Sequence, residues 1–341
     1  MHVCNSCDYA VPVYNSCRNR HCPSCQNLEQ HRWLESRRER ILPVSYFHVV
    51  FTLPAELRPI VLLQREKLFT MLMRAASQTL LTLARDDKRM GATPAITMVL
   101  HTWTRELVFH PHVHAIVSAG GLRSEARPRW VRGNERYLFP VKVMAKLFRR
   151  LFRTELLDAI DQGLVRVPAC AATDLRAVLF DKRWVVYAKR PFGGAEQVFS
   201  YLGRYTHRVG ISNARIVRTD ASTVTFATKN GRTCTLSQLE FLRRLLQHVL
   251  PKGFHKIRHY GLVSASHVRL GWLEQARALL APDASANSRS AAAVGGVPQT
   301  WIECLLALTG IDAMRCPRCG VGMITREPLP LQAGPAVHDT S

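Results

Sequence analysis

Apolar and polar positions change period several times along the chain. From Val44 to Leu53 (VSYFHVVFTL) β-branched and aromatic residues run almost unbroken between Pro43 and Pro54, which predicts a central strand. Over 57–85 the apolar residues Ile60, Leu63, Leu68, Leu72, Ala75, Leu80 and Leu83 recur at helical spacing, predicting one long helix or two shorter ones. Residues 95–104 (AITMVLHTWT) predict a second strand and 112–118 a third, and the short connection makes them antiparallel neighbours. An amphipathic helix is expected over 141–161, with Lys142, Lys146, Arg149, Arg150 and Arg153 on or near its polar side. Further on come a fourth strand (184–189), a turn at Pro191–Gly194 and a helix over 195–206. A hairpin (213–219 and 222–228) and a helix over 237–249, ended by Pro251, follow. A charged helix over 28–41 stops at Pro43. Residues 122–140 are loop-like and basic. Residues 282–298, rich in Ala, Ser, Gly and Pro, read as a linker, and 326–341 as disordered. The pattern predicts an α+β fold, a central antiparallel sheet of four or five strands with helices on one face.

The third strand carries unusual chemistry. FHPHVHAIVS (109–118) puts histidines at alternate positions, His110, His112 and His114. Alternate side chains of a strand share a face, so His112 and His114 project together while Val113 enters the core. Two imidazoles so placed can share a divalent ion. An H-x-H pair alone is more often a polar sheet edge than a metal site, so the pair gains meaning only from what accompanies it. On the helix at 195–206, Tyr201 and Tyr205 lie four apart and share a face, a spacing that by itself more often means packing.

Charge and cysteine spacing change the picture. The 341 residues, enough for two or three domains, hold 47 Lys and Arg against 25 Asp and Glu, a net charge of +22. That excess points to a polyanion, most simply nucleic acid. No apolar run is long enough to span a membrane, and the N-terminus is not a signal peptide. The ten cysteines therefore read as metal ligands rather than disulfides. Cys4-x2-Cys7 and Cys22-x2-Cys25, fourteen residues apart, form two knuckles that would complete a tetrahedral zinc site. Cys17 or His21 could replace a knuckle cysteine, and His2 is a spare candidate. Arg18, Arg20 and Arg32 nearby suit phosphate contacts. Cys316-Pro-Arg-Cys319 is a lone knuckle with Cys304 and His338 as weak partners, while Cys170 and Cys234 are expected to be buried thiols. Residues 252–261 (KGFHKIRHYG), basic with interleaved aromatics, suit a single-strand contact surface.

Six passages carry a resemblance: YNSCRNRHCPSCQ (14–26), YFHVVFTLP (46–54), FHPHVHAIVSAGG (109–121), PFGGAEQVFSYLGRYTHRVGISN (191–213), PKGFHKIRHYG (251–261) and the final CPRCG (316–320). Together they resemble the HUH-type, two-tyrosine transposases of the insertion sequence 91 family, and the resemblance covers nearly the whole chain. It implies a zinc-binding domain over 1–42, a catalytic domain of ferredoxin- or RRM-like topology over 43–265, a helix and linker over 266–300, and a C-terminal segment over 301–341. The same resemblance assigns Tyr201 and Tyr205 as nucleophiles that form a 5′-phosphotyrosine link, and His112 and His114 as ligands of a catalytic Mg²⁺ or Mn²⁺. His110 and His207 are candidates for a third ligand, with His101 weaker. Lys189, Arg204 and Arg208 would contact the phosphate backbone, and zinc would be structural. The implied partners are single-stranded element ends and target DNA, handled by a rolling-circle-like route, in the bacterial cytoplasm at the nucleoid. Two alternatives stay open: a replication initiator or relaxase with the same chemistry, and a zinc-dependent nucleic-acid-binding protein without catalysis.

Overall fold

The computed structural model of the protein describes residues 1–13, 40–125, 127–134, 136–172, 175–192, 210–281, 300, 302–303, 306 and 310–328. In chain order the strands are β1 (His2–Cys4), β2 (Ala10–Val11), β3 (Tyr46–Thr52), β4 (Ala95–Trp103), β5 (Phe109–Ser118), β6 (Gly120–Arg123), β7 (Arg129–Arg132), β8 (Val186–Phe192), β9 (Ile216–Thr219), β10 (Thr223–Ala227), β11 (Thr233–Ser237), β12 (Ile257–Gly261) and β13 (Ile324–Arg326). The helices are α1 (Arg58–Leu63), α2 (Arg65–Arg85), α3 (Val141–Asp161), α4 (Ala169–Ala172), α5 (Leu175–Phe180), α6 (Gln238–Gln247), α7 (Ala265–Arg269) and α8 (Trp272–Leu280). None of the described helices is long and apolar enough to cross a membrane.

The central sheet has five strands in the order β12-β4-β5-β3-β8, and every neighbouring pair is antiparallel. Strand β5 is therefore the middle one. Its two faces differ because its sequence alternates. Phe109, Val113, Ala115 and Val117 enter the main core with Phe47, Val49 and Phe51 of β3 and Ile96, Met98 and Leu100 of β4. Helices α2 and α3 cover that face with Leu68, Phe69, Leu72, Met144, Phe148 and Phe152. Phe148 is fully buried and makes edge contacts with Phe51 (ring centroids 5.1 Å apart) and Trp184 (5.3 Å). The opposite face holds a small apolar cluster at one end, Tyr46, Val99 and Ile116, and the histidines at the other.

The apolar run over 57–85 resolves into two helices. Gln64 leaves the helical region (φ −138°, ψ 53°), and its amide side chain exchanges two hydrogen bonds with the backbone of Arg166, at 2.8 and 2.9 Å. Helix α6 starts at an N-cap serine: the Ser237 hydroxyl accepts from the Glu240 amide. Glu240 in turn pairs with Arg243 and Arg244, and these contacts hold its carboxyl down at about 2.

Two expectations need correction and two need extension. Residues 120–132, expected as part of a loop, contain the β6–β7 hairpin. The expected hairpin after residue 213 has a third strand, β11, on the far side of β10. Residues 257–261, within the basic, aromatic-interleaved stretch expected as a single-strand contact surface, form an edge strand with every residue in register with β4, from Ile257 opposite Val99 to Gly261 opposite Ala95. The alternation explains this: Ile257 packs on the Tyr46 cluster and Tyr260 on the main core. Of the two expected buried thiols, Cys170 is exposed and Cys234 half-buried. The helices at 28–41 and 195–206 and the linker at 282–298 lie essentially outside the described residues.

Candidate functional site

Strand geometry gathers the histidines. On β5, His110, His112 and His114 alternate with core residues and share the face opposite the helices. The β4–β5 register sets His101 directly opposite His112. The β3–β5 register sets Thr52 opposite His112 and Val50 opposite His114, so His48, one pleat further along β3, leans onto His114. The rings of His48 and His114 stack at 5.1 Å, and His48 Nε2 and His114 Nδ1 share a hydrogen bond of 2.8 Å. His101 stands edge-on to His114 with centroids 4.3 Å apart and stacks on Trp103 at 4.7 Å.

Ligand nitrogens of His101, His112 and His114 all lie within 4.8 Å of one another. The surrounding hydrogen bonds orient them. His112 Nδ1 donates to the backbone carbonyl of His110 at 2.6 Å, because a carbonyl can only accept, and this leaves the Nε2 lone pair facing the site. At His114 the bond to His48 engages Nδ1; in the tautomer with that nitrogen as the donor, Nε2 is again available. Burial pushes His48 and His112 down to about 4; the positive charge of Lys189 adds to this at His48, whereas at His112 the hydrogen bond to the His110 carbonyl opposes it. The same burial pushes His114 to about 2, with His112 and His48 adding. All three are neutral at pH 7, the form that binds metal. Three imidazoles suit a divalent transition ion.

His110, expected as a candidate third ligand, is not in this group. Its Nδ1 accepts from the Arg58 guanidinium at 3.3 Å, so when the ring is neutral its proton sits on Nε2 and neither nitrogen is open. His101, ranked below it from sequence, takes the place because pairing across strands outweighs proximity along the chain. His48 escaped notice in the sequence, where it reads as a polar residue within a core strand; its position in YFHVVFTLP was the available signal. Lys189 is exposed on β8, in register with His48. Tyr201, Arg204, Tyr205, His207 and Arg208 lie outside the described residues.

A second cluster lies at the chain ends. Strand β1 pairs antiparallel with β13, His2 opposite Arg326 and Cys4 opposite Ile324. This brings Cys4 and Cys7 against Cys316 and Cys319, with all four sulfurs within 4.8 Å of one another. The expected partners of Cys4 and Cys7 were Cys22 and Cys25; among the described residues the strand pairing brings the C-terminal knuckle to them. Cys17, His21, Cys22 and Cys25 lie outside the described residues. Backbone N–H groups of Gly322 and Val321 favour the Cys319 thiolate and lower its thiol to about 6. At Cys7 the Tyr9 N–H acts in the same direction, but partial burial and the three neighbouring sulfurs outweigh it and push the thiol up to about 12.

The fold and its two clusters define a metal-binding α+β protein with a histidine face on the middle strand. Residues 95–269 match the family described as "Putative transposase", and residues 1–53 the family described as "Transposase zinc-binding domain". The chain is 40% identical to "Putative transposase y4qJ" of Sinorhizobium fredii over 95% of its own length and 84% of that protein. It is 29% identical to "Transposase for insertion sequence element IS801" of Pseudomonas savastanoi pv. phaseolicola over 94% of its own length and 77% of that protein. No solved structure matches it. The chain belongs to the family of insertion-sequence transposases of the IS91 type. Its N-terminal cysteines fit the zinc-binding domain of that family.

Proposed function

We propose that this transposase cleaves and rejoins single DNA strands through a 5′-phosphotyrosine intermediate, moving its insertion sequence by a rolling-circle-like route. The observation that carries the reading is the convergence of His101 of β4 with His112 and His114 of β5 on one face of the sheet, His112 and His114 being held neutral by burial. A relative matched over 77% of its own length is named for an insertion sequence element, and the net charge of +22 suits a DNA partner.

In this reading His101, His112 and His114 would hold Mg²⁺ or Mn²⁺. A divalent ion there would neutralise charge on the scissile phosphate and fix its orientation. The protein's own groups do the rest. His48 holds the His114 ring, and the His110 carbonyl holds His112. Lys189, exposed beside His48, draws the phosphate backbone to the site. Tyr201 or Tyr205 supplies the nucleophile. Its oxygen bonds to phosphorus as the bond to the 3′ oxygen breaks; the phenolic proton passes to water, and the 3′ oxygen takes one from water. The covalent link conserves the phosphodiester bond energy, so rejoining needs no ATP. A second tyrosine allows a second transfer. Arg204 and Arg208, near the tyrosines in sequence, contact the backbone.

The test is a covalent-adduct assay. Single-stranded DNA carrying the element end is incubated with the protein and Mn²⁺ and run on a denaturing gel. The expected band of linked protein and DNA disappears with EDTA, with His112→Ala/His114→Ala, and with Tyr201→Phe/Tyr205→Phe. An adduct that survives the double tyrosine substitution overturns the reading. So does the absence of any adduct while the same DNA still binds.

A further inference from the structure

We infer that Cys4, Cys7, Cys316 and Cys319 hold one zinc ion that fastens the two ends of the chain together, so that the C-terminal knuckle closes the N-terminal zinc-binding domain. The family match places zinc binding within residues 1–53; the other half of this site, Cys316 and Cys319, lies far outside that segment. The inference is independent of the strand-transfer chemistry.

Geometry carries it. Cys4 and Cys319 sulfurs are 3.8 Å apart, and Cys7 and Cys316 sulfurs 3.7 Å. Four metal–sulfur bonds of about 2.3 Å at tetrahedral angles put their sulfurs about 3.8 Å apart. A disulfide would need about 2.05 Å, and all four cysteines are free. Both halves have the architecture of a zinc knuckle. The Ser6 N–H donates to Cys4 Sγ at 3.3 Å, and the Gly322 N–H donates to Cys319 Sγ at 3.2 Å. Such bonds stabilise the thiolate form a metal requires. Gly322 has no side chain for a reason: a Cβ there would collide with Cys4 Sγ.

The backbone is built to bring these halves together. Beyond the β1–β13 pairing, the Asn5 N–H donates to the Met323 carbonyl at 3.1 Å, and the Met323 N–H donates to the Asn5 side chain at 2.8 Å. Glu327 and Met1 exchange two further hydrogen bonds, at 3.0 and 2.7 Å. Yet the apolar support is slight. Cys4, Cys316 and Ile324 are the only buried hydrophobic members of this cluster among the described residues. So few buried groups cannot offset the ordering of two separate chain segments, and small lobes of this kind are held by a metal.

The experiment uses the full chain with a protease site inserted between Ser288 and Arg289 and an affinity tag at the C-terminus. After cleavage under native conditions, the tagged fragment is expected to retain the rest of the chain on the affinity resin. Phenanthroline should release it, and a thiol reductant should not. Cys316→Ser/Cys319→Ser should lose one zinc per chain by elemental analysis and separate on cleavage. Cys22→Ser/Cys25→Ser should stay joined. Cobalt substitution supplies a readout that does not need cleavage: the intense visible bands of a tetrahedral four-sulfur site should vanish in Cys316→Ser/Cys319→Ser. Separation of the unsubstituted pieces with zinc present, retention that survives the chelator, or an unchanged zinc content in Cys316→Ser/Cys319→Ser would each overturn the inference.

Discussion

His48 sits 2.8 Å from His114 and presents no nitrogen within the three-histidine group itself. Its replacement therefore tests how much the ring behind a metal ligand contributes. His48→Phe keeps an aromatic ring in a place that is 5% exposed but removes the acceptor for His114 Nδ1. A donor stranded in a partly buried site costs about 1–3 kcal/mol. Loss of a partner behind a metal-bound histidine lowers metal affinity about 10- to 100-fold, which is about 1.4–2.7 kcal/mol. The two routes agree. His48→Gln, whose amide oxygen can accept the same bond, should recover most of the loss. The assay is Mn²⁺ binding to zinc-loaded protein, followed by electron paramagnetic resonance at pH 7.5, with thermal melting in parallel to separate folding from binding. If His48→Phe binds Mn²⁺ within twofold of the unsubstituted protein, or if Phe and Gln weaken it equally, the positioning role is refuted.

Other consequences are equally direct. His248, fully buried, donates from Nε2 to the Leu107 carbonyl and accepts from Thr102 at Nδ1; burial lowers it to about 4. Because its folded pKa lies below its unfolded value near 6.5, its contribution is complete above pH 6.5 and is lost as pH falls toward 4. Denaturant titrations at pH 7.5 and pH 5.0 should differ by about 2 kcal/mol from this residue alone, and His248→Gln should remove that share of the slope. Phe148→Ala should destabilise the main core by about 3–5 kcal/mol in a denaturant melt while leaving the zinc content unchanged. Lys189→Ala should weaken single-stranded DNA binding alike for all sequences and reduce the slope of log affinity against log salt by about 0.7; a loss confined to one sequence would assign Lys189 to base reading instead.

Local patterns were legible in the sequence, and long-range pairings were not. Helix α3 has the bounds that its apolar spacing predicts, and the shared face of His112 and His114 follows from the two-residue repeat of a strand. What escaped depends on partners far along the chain. His101 joins the site because β4 lies in register with β5, a fact no spacing within either strand contains. Strand β12 shows in the sequence as a basic stretch with interleaved aromatics, and its pairing with β4, about 160 positions away, is not contained in that pattern. Cys22 and Cys25 were the nearest plausible partners for Cys4 and Cys7, and nearness along the chain is a poor guide where a strand from the other terminus competes. His48 was hidden for a different reason: a lone histidine in a buried strand is usually a satisfied core residue, and only its contact with His114 distinguishes it.

The pairing of β1 with β13 also sets an order of events during synthesis. Cys7 and Cys316 are 309 positions apart, so at about 5–20 residues per second the first knuckle emerges from the ribosome about 15–60 s before its partner exists. Throughout that interval the earliest part of the chain has reactive thiols and an unpaired strand edge, while the central sheet between them can already form. The lobe of β1 and β13 therefore assembles late although half of it is made early, and that half stays open until Cys316 and Cys319 have been made.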